Sequence, residues 1–222
     1  VALVCEKAES AKVPDEMILL LQGLQEHYSG HAQQAQDLIE QAYKQNPESI
    51  AIAATYRMSM ITDQIDHDKR DEVMAVLGSM TSNGEYKRFD DVLYGWAILY
   101  DDHRKAAQLL RTTLDSRWPV GWVMYSSALA HTAIDDRDAQ SAEVALDHMR
   151  RAERRLGDAP LAVTIGVWVR MVVYALTGNE SVKAEADELA RELEEHLDYW
   201  QAPNVLTNYY RMTENPRLDS IY

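Results

Sequence analysis

The sequence predicts an all-α fold of stacked antiparallel helix pairs, and three observations carry that expectation. Ala, Leu, Glu, Gln, Arg and Met are plentiful over 222 residues, and only six Pro and nine Gly interrupt them, so helix is the favoured element. Residues 19–47 read as two short amphipathic helices, broken at Ser29-Gly30, stopped at Asn46-Pro47, and stripped of bulk at Gly23, Ala35 and Ala42. Small residues there let paired helices approach closely, Gly30 permits a tight turn, and Pro47 cannot continue a helix. Finally, Gly23 and Gly95, Ala35 and Ala107, and Pro47 and Pro119 are each 72 residues apart, which is two units of 36. Three independent landmarks with one offset point to internal repetition.

Counted from Glu16 as the first position of a unit, Gly23, Gly30, Ala35, Ala42 and Pro47 fall on the small-residue and proline positions of the tetratricopeptide repeat, and the chain resembles that family. The resemblance implies a right-handed α-solenoid, a superhelix in which the first helix of each pair lines a concave groove.

Taken in order, residues 1–13 read as the second helix of a truncated unit, because Ala8 followed by Pro14 mimics the ending from Ala42 to Pro47. An array that opens on half a unit, without Met, is expected to come from a longer chain. Helix pairs follow over 14–48, 49–85, 86–119, 120–160 and 161–202, and 203–222 is expected to cap the open end, all within a single repeat domain over 1–222. In the second pair, 49–62 and 68–80, Ser59 and Asp71 replace the small landmarks, yet Val73, Met74, Val76, Leu77 and Met80 keep a helical stripe. The third pair is 86–100 and 103–117. In the fourth, 120–134 and 139–156, the run Asp135-Asp136-Arg137-Asp138 is expected to lengthen the turn, and Ala145 and Ala152 repeat the alanine spacing of the first unit.

The fifth pair, 161–176 and 181–197, turns at Thr177-Gly178-Asn179, where Tyr174 and Gly178 match the tyrosine and turn glycine of the family that the chain resembles. Residues 163–176 are apolar almost throughout, with Arg170 in the middle. That helix is expected to be buried on nearly all sides and too short for a bilayer. Its successor carries Glu180, Glu185, Asp187, Glu188, Glu192, Glu194 and Glu195, an acidic face that answers the basic run Arg150, Arg151, Arg154 and Arg155 one unit earlier.

Charge and composition narrow the function. A net charge of −14 repels a phosphate backbone, so nucleic acid is not expected as a direct partner. One cysteine, Cys5, excludes an internal disulfide. No apolar run reaches the roughly 20 residues of a membrane span; a cytoplasmic location is expected, or a periplasmic one if a parent chain supplies a leader or anchor. Twelve Tyr and five Trp against one Phe give most large rings a polar handle, which suits half-exposed surfaces.

His31, His67 and His103 recur at intervals of 36, the last two beside acids in Asp66-His67-Asp68 and Asp101-Asp102-His103. Imidazole and carboxylate together can ligate a divalent metal, but neighbouring turns of a stack lie about 10 Å apart, whereas coordination needs about 2 Å. Helix N-capping accounts for the same acids. His27 and His31 are four apart, but Ser29-Gly30 breaks the helix between them. No phosphate loop, nucleophile elbow or paired-carboxylate pattern occurs, so neither catalysis nor a cofactor is expected.

In the register of the resemblance, groove positions are Met17, Leu20, Leu24 and Tyr28, then Tyr56 and Met60, then Val92 and Trp96, and finally Trp168. None is cationic, unlike the Lys, Arg and Asn with which a subclass of that family clamps a partner's C-terminal carboxylates. An apolar, aromatic trough suits an amphipathic helix or extended apolar peptide, at about 25 cal/mol per Å² buried. Tyr28, Tyr56 and Trp96 are favoured, because their polar atoms can stay wet while the rings touch a ligand. The function expected is a non-enzymatic protein–protein interaction domain. An alternative is the regulatory or sensory part of a larger bacterial regulator, since Asn215-Pro216-Arg217-Leu218 looks like the ending of arrays attached to winged-helix regulators and nucleotide cyclases. A metal-binding or hydrolytic enzyme using the turns at His67 and His103 is the third.

Overall fold

The computed structural model describes residues 13–28, 31–59, 71–73, 75–76, 87–114, 119–197 and 201–214. Every regular element among the described residues is helical. Residues 1–12, Met60, His67 and Asn215-Pro216-Arg217-Leu218 lie outside them, as does the side chain of Tyr28. Two compact units divide the chain, Val1–Tyr100 and Asp101–Tyr222.

In the first unit, α1 (Asp15–Tyr28), α2 (Ala32–Gln45), α3 (Ile50–Ser59) and α4 (Lys87–Ala97) pack each on the next. Asp15 and Glu16 occupy the first turn of α1, where carboxylates favour the helix dipole. A Cβ at Gly23 would lie 2.6 Å from Ile39 Cγ1 and 3.1 Å from the Ala35 carbonyl oxygen, so α1 and α2 meet at a separation that only glycine allows. Asn46 ends α2 with its backbone N–H on the Ala42 carbonyl, and its side-chain amide donates to Glu16 Oε1 at 3.1 Å, tying the end of the hairpin to its beginning. Leu20, Ile39, Ala42, Ile52 and Tyr56 form the core.

The second unit holds α5 (His103–Arg111), α6 (Pro119–Asp136), α7 (Ala139–Leu156), α8 (Pro160–Thr177), α9 (Glu180–Leu193), a 3₁₀ turn (Glu194–His196) and α10 (Ala202–Met212). Connections of two, three and two residues join α6 through α9, and such short links fold each helix back beside its predecessor. Local chemistry sets the starts. Asp102 Oδ1 accepts from the Lys105 N–H, Asp138 Oδ1 from those of Gln140 and Ser141, and Asn179 Oδ1 from those of Ser181 and Val182. Pro119 and Pro160, expected to close units, are the first residues of α6 and α8, since a proline needs no N–H partner in a first turn. Gly178 ends α8 at φ 66°, in the left-handed region that glycine enters freely.

Two expectations are corrected. Asp135 and Asp136 belong to the last turn of α6, because Arg137 (φ 54°) alone makes the reversal and Asp138 caps the next helix. Helix α8, judged too short for a bilayer, spans 18 residues at a mean hydropathy of 1.6 and is, among the described residues, the one helix long and apolar enough to cross. Here α8 packs on α6, α7, α9 and α10, and every residue from Ala162 to Val173 except Trp168 is buried.

Candidate functional site

Groove positions expected in the first unit have unequal surroundings. Leu20, Tyr56 and Val92 are 5%, 3% and 1% exposed. Tyr56, expected to be half wet, stacks on Tyr43 with ring centroids 4.8 Å apart. Because α3 is packed by α2 on one side and α4 on another, the ring of Tyr56 is enclosed. Met17 and Leu24 are half-buried against the same cluster, and Trp96 is half-buried on α4.

Around Trp168 the second unit gathers a column of rings from three helices. His131 of α6 lies between His103, the first residue of α5, and Trp168 of α8. Its centroid is 4.6 Å from that of His103, with planes 16° apart, and 4.6 Å from that of Trp168, with planes 32° apart. Burial, with the nearby charge of His103, pushes the His131 pKa down to about 4, against a smaller opposing effect of Asp135. Asp135 Oδ2 stands 3.9 Å from His103 Nε2. The indole N–H of Trp168 is buried with no hydrogen-bond partner among the described residues. Outside the column, Arg104 holds both carboxylate oxygens of Asp136, fastening α5 to α6 a second time at a largely exposed position.

A second polar cluster is internal. Arg170 donates from Nη1 and Nη2 to Glu153 Oε1 and Oε2 at 2.6 and 2.9 Å, from Nε to Glu185 Oε2 at 3.1 Å, and from Nη1 to the Gly166 carbonyl at 3.2 Å. Arg150 holds the other oxygen of Glu185 at 2.5 Å. Burial opposes the charge of Arg170, but its hydrogen bonds to Glu153 and Glu185 and the charges of those carboxylates outweigh burial and raise the guanidinium pKa. The acidic face of α9 thus meets the basic run of α7 at Arg150 and Glu185, whereas Arg155 lies over the ring of Trp122 at 5.7 Å.

Of the histidines singled out by their spacing, His31 bonds Glu26 through Nδ1 at 2.6 Å on the surface, and His103 joins the ring column. Among the described residues no three His, Cys, Asp or Glu side chains converge to hold a metal ion. His103 and His131 turn ring faces toward each other, and stacking in that way does not converge the nitrogen lone pairs a metal needs. Sequence reasoning missed His131. The available sign was a titratable ring inside the otherwise apolar, small-residue run 120–134.

No protein-family model matches the chain, and none of the curated proteins matches it.

Proposed function

We propose that the chain is a non-enzymatic protein–protein interaction domain of the tetratricopeptide type, a right-handed α-solenoid whose first helices offer an apolar groove to a partner helix or peptide. The observation that carries the proposal is next-but-one packing in the second unit: α6 touches α8, and α8 touches α10, besides the contacts of each with its neighbours in sequence. Stacked hairpins produce that pattern because each first helix lies against the first helix of the next pair. The close approach at Gly23 and Ala35 in the first unit supports it. So does α10, which covers α8 and α9 with the buried Tyr209 and Tyr210, as a terminal cap would.

Within the first unit, Met17, Leu24 and Trp96 are groove positions that keep side-chain surface for a partner, whereas Leu20, Tyr56 and Val92 are buried. The net charge of −14 favours a partner segment whose polar face is basic. Leu24→Ala and Trp96→Ala, each with helicity retained by circular dichroism, are expected to lose the proteins that the wild-type chain captures from a lysate. Undiminished capture by the folded variants overturns the groove.

A further inference from the structure

We propose that the column His103, His131 and Trp168 is an acid-sensitive joint, which fastens α5 and α8 to α6 while the His131 imidazole is neutral and loosens the second unit when acid charges it. The geometry makes the joint structural. Helix α5 has nine residues and packs chiefly on α6, through the buried Ala106 and Leu110, the exposed Arg104–Asp136 pair and the stacked rings. His131 sits in the middle of the column, so its charge state bears on both ring contacts at once.

Neutral imidazoles stack as ordinary aromatic faces, whereas two imidazolium rings at 4.6 Å repel each other. On α6, Asp135 acts on His131 and is shared with His103. The next acid, Asp136, is taken up by Arg104. From α5 the charge that acts is that of His103 itself; α8 presents the uncharged Trp168, and the charges bearing on His131 among the described residues are those of His103 and Asp135. The face of Trp168 attracts a cation, while burial and the charge of His103 push the His131 pKa down to about 4.

The direction of the pH effect follows. An unfolded histidine titrates near 6.5, so the unfolded chain binds the proton more readily than the folded one. Stability from this ring is complete above about pH 6.5 and drains away as the pH falls toward 4. Between pH 7 and pH 5 the unfolding equilibrium constant is expected to rise on the order of 20-fold from His131 alone.

Urea unfolding of the full chain at pH 7 and pH 5, for wild type and His131→Phe, separates this ring from the thirty-six acids that both proteins share. The phenylalanine keeps a flat ring in the stack and cannot take a proton. Wild type is expected to lose about 20-fold more of its folding equilibrium constant over that interval than the variant; equal losses overturn the joint. Should His131→Phe fail to fold, an NMR titration of the wild-type imidazole C–H signals decides. A His131 resonance still neutral at pH 5 supports the proposal, and a midpoint near 6.5 overturns it.

Discussion

A methyl group added at Gly166 would lie 2.6 Å from Glu153 Oε1 and 3.3 Å from Arg170 Nη1. In an exposed helix, replacing a central glycine by alanine gains about 1 kcal/mol. Here the gain is overridden, because the oxygen that must move is one that neutralises a buried guanidinium. Gly166→Ala is therefore expected to destabilise the second unit by about 1–3 kcal/mol in urea unfolding, the usual range for overpacking. A stabilised variant would mean that Glu153 yields without loosening its hold on Arg170. Gly23 makes an equally close approach, to Ile39 and the backbone of Ala35, and the sequence exposes it because the same spacing recurs at Gly95 and Ala107. Gly166 has no such echo, and the acid it accommodates comes from a helix whose rotation no local pattern fixes.

Helix α8 shows the next scale. An apolar rod with one cation at its middle is stable only if its neighbours bring acids to it, and α7 and α9 bring Glu153 and Glu185. Removing one partner of a buried pair typically costs about 3–5 kcal/mol, while replacing both by well-packed apolar residues is often neutral. Glu153→Leu alone is expected to lose that much, and Glu153→Leu combined with Arg170→Met to recover most of it; a double-mutant cycle in urea measures the coupling. Additive losses would show that Arg170 and Glu153 are independent. Helix positions themselves were largely legible, because starts and stops obey local chemistry: Asp102, Asp138, Asn179 and Gly178 act where their residue types predict. The last turn of α6 was not, since two successive aspartates read as loop until Arg104 is placed opposite Asp136. Trp168 could be singled out as an aromatic on a first helix, but its meeting with His131 and His103 depends on how three helices are turned about their axes. Tyr56 failed for the complementary reason: an amphipathic ring stays wet only if no later helix covers it, and α4 packs on α3.

At the scale of the whole chain, each unit carries a core of its own. The cluster of Val163, Val167, Met171, Leu193, Leu206 and Tyr209 draws only on α8, α9 and α10. Proteins whose elements contact chiefly their sequence neighbours tolerate being cut between units. The fragment 101–222 expressed alone is accordingly expected to keep its helical circular dichroism and to unfold cooperatively; a fragment without a thermal transition would show that its core depends on residues 1–100. Arg170 has one more consequence, which concerns how the protein is made. During synthesis α8 leaves the ribosome as a greasy stretch of 18 residues, the kind of nascent segment that insertion machinery samples. Glu153 has already emerged by then, while Glu185, 15 residues beyond Arg170, is still inside the ribosome, so the guanidinium travels partly uncompensated. An arginine at the centre of such a stretch costs about 2.5–3.5 kcal/mol on insertion scales. The same guanidinium that the finished core neutralises therefore also weighs against lipid.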